Sequence, residues 1–550
     1  MNTHLDEILG NEGGDALLIK GSEAPATASD FKKSMEMKMK RNMKALLCAM
    51  ILILLASTVV ASAEAQRRHS VIIVGAGVAG LAAAWELAQR DVDVAVIEMQ
   101  ALPGGTALMS EGAVCIVGTP AQVEAGISDF SEIAYQDFMA YGRDENGSGP
   151  DAEWVRYYVH ESRHEIYDWL IRLGVRFEKG AILMPGNRVP RWHKVIGKGR
   201  GLVEPIYSHC RQSGKVTFYF RFKAVSLIRD DQGRIVGVRT QRLKDGAAVD
   251  YLAPVVILAT GGFQGNAKMV REYWPEKQSF PERLLIGAGA TALGTGHEMA
   301  REAGARLVNM HYQWNYSTGL ANPTAAMENR GSNAFSQQSI WVNRAGRRFV
   351  NESQDTKATF SRVLEQPGGT YWAIFDHAAR GNFFVSGWSR ESIEKIFFEE
   401  AGKHEFIKSA MTFSDLAQAA GLPPKTLENT VHRWNEMVSD GSDSDFGRIG
   451  CSGTPWSKPV RIEQAPFYAV QFYPLTRKSM GGVAIDRSCR VLKTTGQPVF
   501  GLYAAGELTG LAGVNGKASL EGTFLGACIL TGRVAGRAAA AELGKREKAH

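Results

Sequence analysis

Residues 71 to 80 read VIIVGAGVAG, and Glu98 closes the next apolar run, VDVAVIE. Gly75, Gly77 and Gly80 have the G-x-G-x-x-G spacing that follows a strand and opens a helix in dinucleotide-binding units. Each glycine has its own task. Gly75 makes the tight turn, Gly77 lets the backbone approach a pyrophosphate at the positive end of the helix, where Ala79 is a further expected cofactor contact, and Gly80 lets that helix pack close to the strand. Glu98 is placed to hold ribose hydroxyls. The chemistry is therefore expected to reside in a bound dinucleotide cofactor.

Three further segments are rich in small residues that can lie against an extended cofactor. LPGGTALMSEG, residues 102–112, offers Gly104, Gly105, Thr106, Ser110 and Gly112. VVILATGG, from Val255, is a strand ending in the turn Ala259, Thr260, Gly261, and GLYAAG, from Gly501, ends at Gly506 and Glu507. With GTGHEMAREAGA from Gly294, VNRAGRRFVNE from Val342, DFGR from Asp445 and SMGGVAID from Ser479, their order and spacing resemble flavoproteins related to fumarate reductase and succinate dehydrogenase. The resemblance runs from about Val71 to Ala540 and implies FAD as the cofactor, with Ala224, Thr523 and Phe524 as further contacts. It implies noncovalent binding, because Gly104 to Gly112 lacks the histidine that succinate dehydrogenases use for attachment.

In that family the reaction exchanges a hydride between flavin N5 and one carbon of an activated C–C bond, and a proton at the neighbouring carbon. The protein must grip a carbonyl or carboxylate and position one acid or base. His311, in VNMHYQW, falls where fumarate reductases place a substrate-binding histidine. PLTRKSMGG, from Pro474, puts Arg477 and Lys478 in the place of their two histidines, where cations could hold an anion or polarise a carbonyl. Two arginines of the fumarate pattern are missing. After RFVNE the chain reads Ser353-Gln354-Asp355-Thr356-Lys357-Ala358 in place of T-R-D-K-A, and Ala518-Ser519-Leu520-Glu521-Gly522-Thr523 stands in place of N-R-L-G-G-N. A dicarboxylate gripped in the fumarate manner is not expected.

Other stretches are similar to other relatives: LEQPGGTYWAIFD, from Leu364, to tricarballylate dehydrogenases, and APFYAVQFYP, from Ala465, to that group and to ketosteroid dehydrogenases. The latter use tyrosines, which makes Tyr473 the candidate proton-transfer residue, while Tyr468 reads as core. The expected function is an FAD-dependent oxidoreductase acting on a CH–CH bond next to a carbonyl or carboxyl group, in either direction. The alternatives are a terminal reductase of fumarate, urocanate or an acrylate fed by a separate cytochrome, and a flavin electron carrier.

Positioning these residues calls for an α/β fold, a Rossmann-like FAD-binding domain on a mostly parallel sheet, and the segment that interrupts it resembles the α+β capping domain of the fumarate reductase group. The expected parts are residues 66–304 and 478–550 for the FAD-binding domain and 305–477 for the cap, which contains the helical pattern LPPKTLENTVHRWNEMV. Domain seams are where ligand pockets form. The 59 glycines among 550 residues exceed the about 7% average, as many close turns require. A net charge of +6 and the lack of any RNA- or DNA-binding motif point away from nucleic acid.

Residues 1–65 read as a leader: a basic run from Lys32 to Lys44, an apolar run from Ala45 to Val60, and small-residue cleavage sites at Ala61 to Ala65. Export, to a periplasm, is expected, with an uncleaved membrane anchor through 45–63 as the alternative. The six cysteines have neither paired nor metal-like spacing, so neither a disulfide framework nor a metal is expected. The chain has no C-x-x-C-H haem motif, so a separate electron carrier is expected beside a small-molecule carboxylate or ketone.

Overall fold

A computed structural model describes residues 67–449 and 459–547, apart from Glu145 and Ser519, and, of the first 66, Met35, Met39 and Met43. The leader with its cleavage sites or anchor, Cys48, Cys451 and Ser519 lie outside the described residues. No helix among the described residues is long and apolar enough to cross a membrane.

The glycine fingerprint sits in a six-stranded sheet. Strand β1 (Val71–Val74) leads into helix α1 (Val78–Ala88), which returns to β2 (Val94–Glu98); β3 (Val216–Phe220) and β4 (Val255–Leu258) follow later. All four residues of β1 and all five of β2 are buried, which is why these strands are unbroken apolar runs. β4, β1, β2 and β3 pair in parallel, in that order. A second sheet is built from β5 (Gln313–Ala321), β6 (Gly331–Ser336), β7 (Ile340–Val342), β8 (Tyr371–Asp376), β9 (Phe383–Val385) and β10 (Phe467–Ser479). Helices α2 (Thr356–Leu364) and α3 (Pro424–Asp440) belong to the same stretch of chain. The chain then returns to the first sheet with β11 (Arg490–Leu492) and β12 (Pro498–Ala504), which give the order β11-β12-β4-β1-β2-β3, and ends in α4 (Thr523–Glu547).

Helix α1 is apolar on nearly every side, as a helix covered by both a sheet and another helix must be. Its outer cover is α4. A Cβ at Gly532 of α4 would stand 2.2 Å from the Ala79 carbonyl oxygen, so only glycine allows the two helices this separation. Glu86, buried on α1, is neutralised by Arg533 at 2.6 Å.

The path through the second sheet is β7-β8-β10-β5-β6-β9 with antiparallel neighbours, and β10 is its long central strand. Aromatic side chains fill its core: Tyr371 lies between Trp341 and Phe472, with ring centroids 4.4 and 5.5 Å away. The helical pattern read at 422–438 is α3, whose Leu427, Val431 and Trp434 pack with Ile340, Val342 and Ile374. β10 runs without interruption past Arg477, and Leu285–Ile286 already pairs with it, so this sheet draws on residues on both sides of the expected limits 305 and 477.

Between β3 and β4 the chain forms an antiparallel meander, Phe222–Arg229, Ile235–Arg242 and Ala248–Leu252, joined by Arg67–Arg68. The mostly parallel sheet expected for the FAD-binding domain did not include this separate antiparallel one. Its turn signals, Gly233 and Gly246 with positive φ, are local marks of hairpins.

Candidate functional site

One cavity of about 700 Å³ is lined by both the glycine turns and the second sheet, a volume within the usual range for a ligand pocket. At its first end the lining is mainly backbone. Gly75 has φ +106°, and a Cβ there would lie 2.4 Å from the Ala259 carbonyl oxygen. A Cβ at Gly77 would meet nothing within 4 Å, so the backbone at the start of α1 faces open cavity, and no side chain caps that helix. The first N–H groups of α1 are thus free to bind an anion. Glu98 is held in place by the N–H groups of Ala76 and Gln100, each 2.7 Å from a carboxylate oxygen, and it lines the cavity.

The other small-residue turns converge on the same wall. Ala79, Gly104, Gly105, Thr106, Ser110, Ala224, Ala259, Thr260, Gly261, Gly506, Glu507 and Phe524 all line the cavity. Thr260 has a buried hydroxyl without a hydrogen-bond partner, as expected of a group that a bound ligand would satisfy. The Glu507 carboxylate is pushed up by burial, which the N–H and hydroxyl of Ser479, at 2.8 and 3.2 Å, only partly offset. Three expected contacts stand behind the wall. Gly80 packs against the Gly75 carbonyl, Gly112 against the backbone of Lys198, and Thr523 turns its hydroxyl to Asn515, 2.7 Å away, at the head of α4. The open turn at Gly77, the free helix end, the anchored Glu98 and the orphan Thr260 hydroxyl together fit a dinucleotide such as FAD.

At the other end the lining is side chains, and a strand irregularity sets them. Trp314 on β5 pairs with Lys478 on β10, and Asn315 pairs with Thr476, which leaves Arg477 as an extra residue. Such a bulge re-aims side chains. Arg477 and Lys478 both line the cavity, with their charges 5.7 and 5.6 Å from the Tyr316 ring centre. Tyr316 donates its hydroxyl to Glu521 Oε1 at 3.2 Å, and Lys478 Nζ is 3.7 Å from Glu521 Oε2. Burial pulls the Lys478 ammonium down, but the Glu521 carboxylate and the Tyr316 phenol outweigh it and hold its pKa above the ordinary lysine value. Tyr141 donates to Asp355 Oδ2 at 2.9 Å, and burial followed by this carboxylate raises its pKa well above the usual phenol value. Trp314, Trp341, Phe335 and Phe384 supply apolar wall.

Of the three catalytic candidates, Lys478 faces the cavity and the other two do not. Tyr473, on the same strand, is buried beside Leu475 outside the cavity lining, and the Arg283 guanidinium covers its ring at 4.8 Å. His311 is exposed, because it precedes the strand. The buried residue is its neighbour Tyr312, which donates to Asp144 Oδ2 at 2.8 Å. The sequence reading passed over Tyr316, Tyr141 and the charge of Glu521. Alternation in QWNYSTGLA signals a strand but not which strand lies opposite, and Glu521 was seen only within a stretch that lacks an arginine. Asp355, at the other stretch lacking one, caps α2 by accepting from the Ala358 N–H at 3.0 Å.

Comparison with known proteins agrees with this geometry. The family model described as an FAD binding domain matches residues 70–525. A KsdD-like steroid dehydrogenase of Mycobacterium tuberculosis is 30% identical over 86% of this chain and 96% of its own length. A urocanate reductase of Eggerthella lenta is also 30% identical, over 86% of this chain and 74% of its own. Among solved structures, the open conformation of a flavocytochrome c3 fumarate reductase superposes with a TM-score of 0.71 at 26% identity, covering 88% of this chain and 80% of that one. With its glycine turns, its cavity and these matches in agreement, the chain belongs to the FAD-binding-domain family of fumarate reductase-like flavoproteins and is an FAD-dependent oxidoreductase acting on CH–CH bonds.

Proposed function

We propose that the chain exchanges hydrogen across a CH–CH bond beside a carbonyl oxygen, with Lys478 holding that oxygen and Tyr316 moving the proton. One observation carries this reading: a single cavity is lined by the Gly75 to Gly77 turn and by Lys478, Tyr316 and Glu521. FAD, when bound, supplies the two-electron exchange. Gly75, Gly77, Ala79 and Glu98 would hold its pyrophosphate and ribose, and the turns at Gly104 to Ser110, Ala259 to Gly261 and Gly506 to Glu507 would lie along it. Gly80, Gly112 and Thr523 act behind them by fixing the turns and the head of α4.

An ammonium that keeps its charge is suited to polarising a carbonyl, because the negative charge that develops on the oxygen is met by a donor already in place. Tyr316 Oη, hydrogen-bonded to Glu521, has a local acceptor for its proton and can give and regain it at the carbon beside the carbonyl. Tyr316 replaces Tyr473 in this role because it is the tyrosine on the cavity wall beside Lys478. Arg477 reinforces the positive charge, and His311 has no part.

The first sheet, with its parallel strands and glycine turn, acts as the Rossmann-like FAD-binding half, and the second sheet with α2 and α3 acts as the cap over the substrate. The steroid dehydrogenase relative supports oxidation of a bulky apolar carbonyl compound, which suits the aromatic wall. Export to a periplasm, by way of the leader in residues 1–65, and a separate electron carrier complete the reading.

The test is anaerobic bleaching of the bound flavin by a panel of saturated ring ketones and carboxylates, with its reoxidation by their unsaturated counterparts. Lys478→Ala is expected to keep the flavin and to lose a charge-assisted contact of about 1.5 to 3 kcal/mol, or roughly ten- to a hundredfold in turnover. Turnover unchanged in this variant would remove Lys478 from the reaction.

A further inference from the structure

We propose that Glu521 sets the charge of the substrate, admitting a neutral carbonyl compound at Lys478 and turning carboxylates away. The inference rests on Lys478 as the oxygen grip. The second-sheet end of the cavity carries two cations, Arg477 and Lys478, and the carboxylates Glu521, Asp355 and Glu352. Glu352 is taken up by Arg348 at 2.8 Å and by Arg448 at 3.3 Å. Asp355 is held by the Tyr141 hydroxyl and the Ala358 N–H. Glu521 alone of the three meets the oxygen grip, with Lys478 3.7 Å from one oxygen and the Tyr316 hydroxyl 3.2 Å from the other.

Lys478 is thus met by the Glu521 carboxylate before any ligand arrives, and the buried Glu507 carboxylate also acts on both Lys478 and Arg477. A carboxylate placed at Lys478 would stand beside Glu521 and compete with it for one ammonium, and like charges this close oppose each other strongly away from water. A carbonyl oxygen adds no charge. An ammonium has three N–H donors, so one can stay with Glu521 while another turns to the carbonyl. The aromatic walls, Trp314, Trp341, Phe335 and Phe384, favour the apolar remainder of such a molecule.

The test uses the flavin-loaded protein and two probes with the same ring, cyclohexanone and cyclohexanecarboxylate, each titrated while the visible absorption of the flavin is followed. The wild type is expected to bind the ketone more tightly. Glu521→Gln keeps the size and an oxygen for Tyr316 but removes the charge, and it is expected to tighten carboxylate binding by about tenfold or more, with ketone binding changed less than about threefold. Glu521→Asp, which keeps the charge, retains the wild-type preference. A wild type that prefers the carboxylate, or an unchanged ratio in Glu521→Gln, overturns the proposal. Lys478→Ala tells the two readings apart. If it leaves both probes unaffected, the oxygen grip itself is wrong. If it weakens both while the ratio in Glu521→Gln stays at the wild-type value, only the role of Glu521 falls.

Discussion

At the glycine-turn end of the cavity the groups that face inward are backbone: the free N–H groups of α1, the turn at Gly77 and the turn at Gly261, where an added Cβ would meet open space. At the Lys478 end they are side chains, brought from β5, β10 and the loop before α4. The first end depends on what is absent, since a side chain at Gly75 would displace the neighbouring strand. The second depends on what is present and on the phase of one strand. A backbone site is set by a few consecutive residues, whereas a side-chain site inherits any slip in the pairing of residues far apart in sequence.

The sharpest way to break the first end is Gly75→Ala. Its φ of +106° lies outside what alanine adopts with ease, and the added Cβ would overlap the Ala259 carbonyl at 2.4 Å. The purified variant is expected to be colourless; a normal ratio of visible to ultraviolet absorbance would show that the turn does not carry the flavin. The matching change at the second end is Tyr316→Phe. It keeps the ring over which Arg477 and Lys478 lie and deletes only the hydroxyl, so flavin content should hold while flavin reduction slows about 10²- to 10⁴-fold. Reduction at the wild-type rate in stopped flow would assign the proton to another group.

A smaller effect separates the two ends by pH. His297 follows Gly296, which abuts Thr260 at the glycine-turn end; it is fully buried with neither ring nitrogen partnered, and burial lowers its pKa from 6.5 to about 4. A folded pKa below the unfolded one favours the neutral ring. The stability it maintains is complete above about pH 6.5 and falls as the pH drops toward about 4, by up to about 3 kcal/mol. Thermal unfolding followed by flavin release should move to lower temperature across this window, and His297→Leu should flatten the change; an equal loss in the variant would point to other groups. The smallest effect is expected from Tyr473→Phe, whose hydroxyl lies outside the cavity lining. Flavin reduction should stay within about threefold, corresponding to about 0.65 kcal/mol, and a larger loss would bring Tyr473 back into the reaction.

The cofactor end was legible in short stretches of the chain. A strand, a glycine turn, a helix and an acid at Glu98 are contiguous, and their geometry follows from steric rules that act over a few residues, so the family and FAD were legible before any coordinates. The turns at Gly104, Thr260 and Gly506 were singled out by the same local signals, and all three line the cavity. Lys478, singled out as a possible grip on an anion or carbonyl because the neighbouring glycines fixed its register, lies in the cavity lining. The remaining features follow from contacts between distant segments. That Tyr316 lines the cavity and Tyr473, on the partner strand, does not, depends on how β10 pairs with β5 across more than a hundred residues. That Glu521 meets Lys478 and Tyr316 depends on where the chain before α4 comes back to that sheet. No local pattern encodes either, because strand alternation tells which residues share a face but not which partner that face meets.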